Sequence, residues 1–190
     1  MVYNILMKID KTIEESIKDI KTTFKDGSRL ESVISGVIKN RAVVHSDHRG
    51  RLFEVYSGQD EKMWVDPVVY CYMFSIRVNQ IKGWGLHLLK DDRYTLIKGE
   101  SLTVLYDARE DSETHGAIQK VILSEQGDRQ LLIPKGVWHM NVNISESETL
   151  LINHPTTVYD HDAPDRYLLP SDTDKIPFDL KEMFPKQYNA

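Results

Sequence analysis

Two stretches of this 190-residue chain place histidines where they could do chemistry. Residues 83–99 spell G-W-G-L-H-x4-D-x6-G, and residues 127–143 spell G-x6-P-x-G-x2-H-x3-N. Glycine or proline interrupts an apolar run just before His87 in the first and His139 in the second. A Pro-x-Gly turn between antiparallel strands sends a side chain a few residues later to one chosen face, because side chains alternate along a strand. An imidazole aimed this way can move a proton near neutral pH. It can also hold a ligand by hydrogen bonds. His87 and His139 with one carboxylate, Asp91 or Asp92, have the composition of a facial site for iron, manganese or zinc. An inward histidine that only hydrogen-bonds a substrate would leave the same pattern.

The elements that must carry these residues are mostly strands. Val68, Tyr70, Tyr72, Phe74 and Ile76 alternate with Val69, Cys71, Met73, Ser75 and Arg77, and β-branched or aromatic runs recur at 94–98, 102–106, 118–123, 130–133 and 149–152. Short strands at near-regular spacing predict a sandwich or barrel. Before them, Thr12 and Glu15 make a capping box, and Ile13, Ile17, Ile20 and Phe24 recur at helical spacing up to Gly27. That pattern predicts an amphipathic N-terminal helix. After Thr157 the chain turns polar and proline-punctuated, a surface strap with a short C-terminal helix. The division expected is a helical segment over 1–40 and a barrel with its strap over 41–190.

Composition narrows the partners. The net charge is -5, with basic and acidic residues interspersed. No basic stripe suits a nucleic acid. No apolar run approaches the roughly 18 residues needed to cross a bilayer, and the first residues lack a signal peptide's pattern. The one cysteine, Cys71, excludes a disulfide framework. A cytoplasmic protein with no membrane or nucleic-acid partner is expected.

The paired histidine motifs resemble those of cupins, small double-stranded β-helix (jelly-roll) barrels. Further segments sharpen the likeness: DHRGRLFEVY (47–56), GLH (85–87), VLYDAREDSETHG (104–116), LSEQGDRQLLIPKGVWHMNV (123–142), NHPTTVYDHDAPD (153–165) and LLPSDTDKIPFDL (168–180). In order and spacing they resemble the dTDP-4-dehydrorhamnose 3,5-epimerases, over about residues 36–180. The resemblance implies an all-β cupin that pairs as a homodimer, binds a nucleotide-linked sugar, most simply a dTDP-sugar, needs no cofactor, and serves deoxysugar or surface-polysaccharide (lipopolysaccharide O-antigen) synthesis. It makes His87 the base that takes a proton beside a sugar ketone. His139, Arg49 and Glu54 match residues that hold the sugar nucleotide, and Trp84, in the place of a phosphate-contacting arginine, could stack on a base or sugar.

The departures from that family bear on the chemistry. Asp92 stands where a lysine steadies the enolate, with Arg93 beside it, and Asn153 stands where a tyrosine acts as acid. The segment that supplies an aspartate partner to the base is missing from the tail. A nucleotide-sugar-binding cupin without 3,5-epimerase activity is therefore the leading expectation. The first alternative is an active epimerase or isomerase using His87, Arg93 and a relocated acid, Tyr94, Tyr106 or Tyr159. The second is a metal-dependent small-molecule enzyme using His87, Asp92 and His139. The acidic run at 160–165 is assigned no site.

Overall fold

A computed structural model of the chain describes residues 16, 18, 19, 21–27 and 33–183. The chain divides after Glu31 into a short N-terminal unit and a barrel unit. The barrel contains β1 (Ile38–Asn40), β2 (Val44–Asp47), β3 (Gly50–Phe53), β4 (Tyr72–Ile76), β5 (Ile81–Leu86), β6 (Asp92–Lys98), β7 (Glu100–Asp107), β8 (Ile118–Ser124), β9 (Gln130–Ile133), β10 (Val137–Asn143), β11 (Thr149–Asn153) and β12 (Tyr167–Leu168), then one helical turn, α1 (Leu180–Met183). The first strand thus falls in the barrel unit rather than in an N-terminal segment reaching residue 40.

Two five-stranded antiparallel sheets face each other, ordered β1-β9-β6-β11-β4 and β12-β5-β10-β7-β8. The two-stranded ribbon β2-β3 is separate. Within the barrel, side chains of one parity from both sheets form a core of Ile34, Ile76, Tyr94, Leu96, Leu105, Val121, Leu123, Leu131, Ile133, Val137 and Leu151. The opposite parity of β5, β7 and β10 builds a second core. There Trp84, Leu102, Val104, Met140 and Val142 pack beneath Ile176 and Leu180 of the C-terminal strap. Strands apolar on both faces need such a cover, because either face left bare would expose large side chains. The strap is therefore a third layer.

The turn before His139 uses Pro134 and Gly136. Gly136 has φ of +79°, and a Cβ there would lie 2.6 Å from Cγ of Arg109. Only glycine fits without displacement. Its amide donates to the carbonyl of His87 at 2.7 Å, which ties the two histidine segments together at one end of the barrel.

The expected N-terminal helix falls largely outside the described residues, including Thr12, Ile13, Glu15, Ile17 and Ile20. The part that is described corrects it. Thr23 forms an isolated bridge, and Phe24 to Gly27 make a turn closed by Gly27 N–H on the Phe24 carbonyl at 3.1 Å. Consecutive β-branched Thr22 and Thr23 followed by an aromatic are poor helix formers, which weakens a pattern read from apolar spacing alone.

Candidate active site

One open end of the barrel contains a cavity of about 420 Å³. His87, following β5, and Asp92, Tyr94, His139 and Asn141 from β6 and β10 are among its buried residues. Tyr70, Tyr72 and Phe74 line it from the β4 side, and the strap adds Tyr159, His161 and Arg166. Lys82, His161 and Arg166 are exposed, whereas Lys90 is only 4% exposed with its Nζ 5.5 Å from the Tyr159 ring centre. The cavity is cationic around its opening and mixed polar within.

Asp92 is the hub. Its Oδ2 lies 3.4 Å from Nε2 of His87 and 3.5 Å from Nε2 of His139, and accepts from the Tyr94 hydroxyl at 3.3 Å. Its Oδ1 accepts from Nδ2 of Asn153 at 2.8 Å. That amide also reaches the Tyr72 hydroxyl at 2.8 Å, while its Oδ1 takes the Arg93 backbone N–H at 3.0 Å. Asn153 therefore fixes Asp92 and Tyr72 together.

The outer nitrogens of both imidazoles meet backbone carbonyls. Nδ1 of His87 bonds the Asp165 carbonyl in the strap, and Nδ1 of His139 bonds the Val137 carbonyl at 3.3 Å. A carbonyl can only accept, so both Nδ1 atoms carry hydrogen and a neutral ring turns its Nε2 lone pair on Asp92. Asp165 is itself anchored, its carboxylate accepting from Leu88 and Leu89 N–H, each at 2.9 Å. A strap carbonyl thus orients the His87 imidazole.

Charge states follow from this packing. Burial alone would raise the Asp92 carboxyl, but the His87 hydrogen bond, the charges His139 and His87 carry in acid and the Asn153 amide hold it at about 2. Burial pushes His139 below the usual imidazole range, against the opposing pull of Asp92. Burial, then the Asp92 charge, pushes the Tyr72 phenol up to about 12, and Tyr94 is raised by the same two causes. At neutral pH the centre is an ionised carboxylate beside a neutral His139 and two protonated phenols.

The structure brings together His87, His139 and Asp92, with Tyr94 and Tyr159 in the same walls. It does not bring the other expected residues there. Trp84 is fully buried against Phe178 in the outer core, ring centres 6.2 Å apart, so the stacking expected of it at a cavity mouth is corrected. Its parity on β5 is opposite to that of Gly85 and His87. Arg93 is likewise opposite in parity to Asp92 and Tyr94. Its guanidinium lies over Trp64 and donates to the carbonyls of His154, Asp66 and Pro67, which corrects the expectation that it reaches the sugar or steadies charge. Tyr106 packs on the outer core. Arg49 is exposed on the β2–β3 turn and bonded to Asp47 at 2.6 Å, and Glu54 lines a separate hollow of about 470 Å³ with Trp64 and Gln130.

Several cavity residues went unread in the sequence. Tyr72 and Asn141 share parity with Ile76 and His139, a signal that was available. Lys82 and Lys90 carry no motif. The 160–165 run, assigned no site, supplies the His161 wall and the Asp165 carbonyl.

Comparison with known proteins agrees with this geometry. The family model of dTDP-4-dehydrorhamnose 3,5-epimerase matches residues 31–183. The chain belongs to that family. It is 34% identical over 130 residues to the probable low-salt glycan biosynthesis epimerase Agl13 of Haloferax volcanii, covering 68% of this chain and 83% of that protein. It is 31% identical over 152 residues to the spore coat polysaccharide biosynthesis protein SpsL of Bacillus subtilis, covering 80% and 99%. Among solved structures, a dTDP sugar isomerase from Desulfovibrio desulfuricans superposes with a TM-score of 0.71 at 22% identity, over 77% of this chain and 91% of that one. The Legionella pneumophila epimerase RmlC, bound to dTDP-4-keto-L-rhamnose, superposes at 0.67 and 20% identity, over 78% and 80%. These likenesses support the all-β cupin fold.

Proposed function

We propose that this epimerase-family cupin binds a nucleotide-linked sugar, a dTDP-4-keto-6-deoxyhexose in the first instance, for the synthesis of a surface polysaccharide, and that it does not run the family's 3,5-epimerisation by the usual lysine and tyrosine. One observation carries the reading: a cationic opening of Lys82 and Arg166 leads to a polar floor of buried His87, Asp92 and His139 with half-buried Tyr72. Phosphates suit the opening and sugar hydroxyls suit the floor. Against epimerisation stands the Asp92 charge. An enolate oxygen formed about 4 Å from a carboxylate meets a repulsion of about 4 kcal/mol at an effective dielectric constant of about 20. A lysine in that position would instead attract it.

A second reading keeps His87 as a base, supported by the Asp165 carbonyl that leaves its Nε2 unprotonated in the neutral ring. NMR in deuterated buffer containing EDTA separates the two. Under the first reading dTDP-4-keto-6-deoxyglucose broadens on adding protein, Lys82→Ala with Arg166→Ala weakens that binding at least tenfold, and no deuterium enters the sugar. Deuterium at C3 or C5 that disappears in His87→Ala establishes the second reading. No binding of this or any other nucleotide sugar would overturn both.

A further inference from the structure

We propose that Nε2 of His87, Oδ2 of Asp92 and Nε2 of His139 form a binding site for one divalent first-row transition-metal ion. The inference goes beyond the sugar-nucleotide reading and does not depend on it. It starts from a local imbalance: with both Nδ1–H groups committed to backbone carbonyls, three lone-pair atoms converge from three strand segments. When the imidazoles are neutral neither ring supplies a hydrogen to Oδ2, which accepts from the Tyr94 hydroxyl at 3.3 Å, and a cation would draw on all three lone-pair atoms at once.

The distances suit a metal. All three donor atoms lie within 4.8 Å of one another, and the two nitrogens stand 3.4 and 3.5 Å from Oδ2. Ligands about 2.1 Å from a tetrahedral ion are separated by about 3.4 Å, so a metal can seat between these atoms with little movement. Two imidazoles with one carboxylate suit manganese, iron or zinc over calcium or magnesium. The surrounding bonds are those that ligands need: each histidine's outer nitrogen is held by a carbonyl, and the other carboxylate oxygen is held by Asn153.

One side of the group is open to the cavity. Gly85, in register with His139 across β5 and β10, carries no side chain, and a Cβ there would come within 3.3 Å of His139 Nε2. A bound ion keeps that side for water or an oxygen of whatever occupies the cavity. It also reverses the sign of the floor: two neutral imidazoles, one carboxylate and a doubly charged ion leave one net positive charge where the apo site is negative. The arrangement would replace the charge, though not the chemistry, of the lysine that Asp92 displaces.

The test uses the full-length protein stripped with chelator and dialysed, titrated with zinc and separately with manganese alone by calorimetry, with cobalt absorption as a spectroscopic readout. One ion per chain with micromolar or tighter dissociation is expected, and cobalt should give visible bands that shift in His139→Gln. Asp92→Asn, which keeps the shape but turns one acceptor oxygen into a donor, should weaken binding at least a hundredfold, while His48→Ala on the exposed β2–β3 turn should leave it unchanged. Circular dichroism confirms that each variant is folded. Absence of binding at millimolar metal, or equal binding by wild type and folded Asp92→Asn, would overturn the site. Sugar-nucleotide binding is scored in EDTA, so either reading can fail without the other.

Discussion

Asp92→Asn exchanges one carboxylate oxygen for an NH2 group and deletes a buried charge while preserving shape. Its effect on stability should change in size with pH. In acid, where His139 is charged, the wild-type carboxylate lies 3.4 and 3.5 Å from the Nε2 atoms of His87 and His139. A carboxyl held at about 2 rather than 3.8 contributes about 2 kcal/mol. That contribution is present above the unfolded value of 3.8 and is lost as pH falls through about 2. The variant never has it. His139, depressed by burial, is neutral at pH 8, where its contribution to stability is complete. There the wild-type carboxylate faces lone pairs, whereas the asparagine NH2 offers them hydrogens at roughly 0.5–1.5 kcal/mol per bond. The variant should be less stable than wild type by about 2 kcal/mol at pH 4.5, a deficit that these hydrogen bonds reduce to within about 1 kcal/mol at pH 8. At roughly 2–4 °C per kcal/mol for a domain of this size, the melting temperature should be about 4–8 °C lower at pH 4.5 and within about 2–4 °C of wild type at pH 8. Calorimetric melts of both proteins in EDTA at pH 4.5, 6 and 8 measure the difference. A difference of constant size across that range would refute the account of Asp92 as a carboxylate facing two Nδ1-protonated rings.

Three other perturbations test the surrounding fold. Asn153→Leu leaves Asp92 Oδ1, the Tyr72 hydroxyl and the Arg93 N–H without their partner; a loss of about 3 kcal/mol in urea unfolding is expected. Gly136→Ala should cost about 2–3 kcal/mol, combining strain at positive φ with the collision on Arg109, while Gly116→Ala, at φ of +78° with open space around its Cβ, should cost about 1 kcal/mol in the same urea assay. Trp84→Phe removes a buried indole N–H that has no partner among the described residues, and urea unfolding should shift by no more than about 1 kcal/mol, with sugar-nucleotide affinity unchanged by calorimetry.

The strand pattern was legible because alternation in runs such as 72–76 and 118–123 reports a face directly. The two histidine segments were legible because a Pro-x-Gly turn has few backbone solutions. Parity separates the candidates further: Trp84 and Arg93 each neighbour a site residue in sequence and therefore point to the opposite face of their strand. What the sequence could not disclose was tertiary. Tyr72 and Asn153 are 81 positions apart and meet only because β4 and β11 pair. The partner of His87 was sought as an aspartate side chain in the tail, but the contact is a main-chain carbonyl, which every residue type possesses and no motif marks. The N-terminal pattern shows the converse error, since apolar spacing alone does not hold a helix over Thr22–Phe24.

That main-chain contact has a consequence for how the site can vary. Whether His87 presents a donor or an acceptor to the cavity is decided by a carbonyl 78 positions away, reached through the two-residue pairing of β12 on β5. Point substitutions at Asp165 leave the carbonyl in the chain and act only by loosening its anchorage to Leu88 and Leu89. An insertion or deletion of one residue between Asn153 and Tyr167 shifts which carbonyl arrives, or whether one arrives. The chemistry of this histidine is consequently robust to exchanges of letter in the strap and vulnerable to changes in its length.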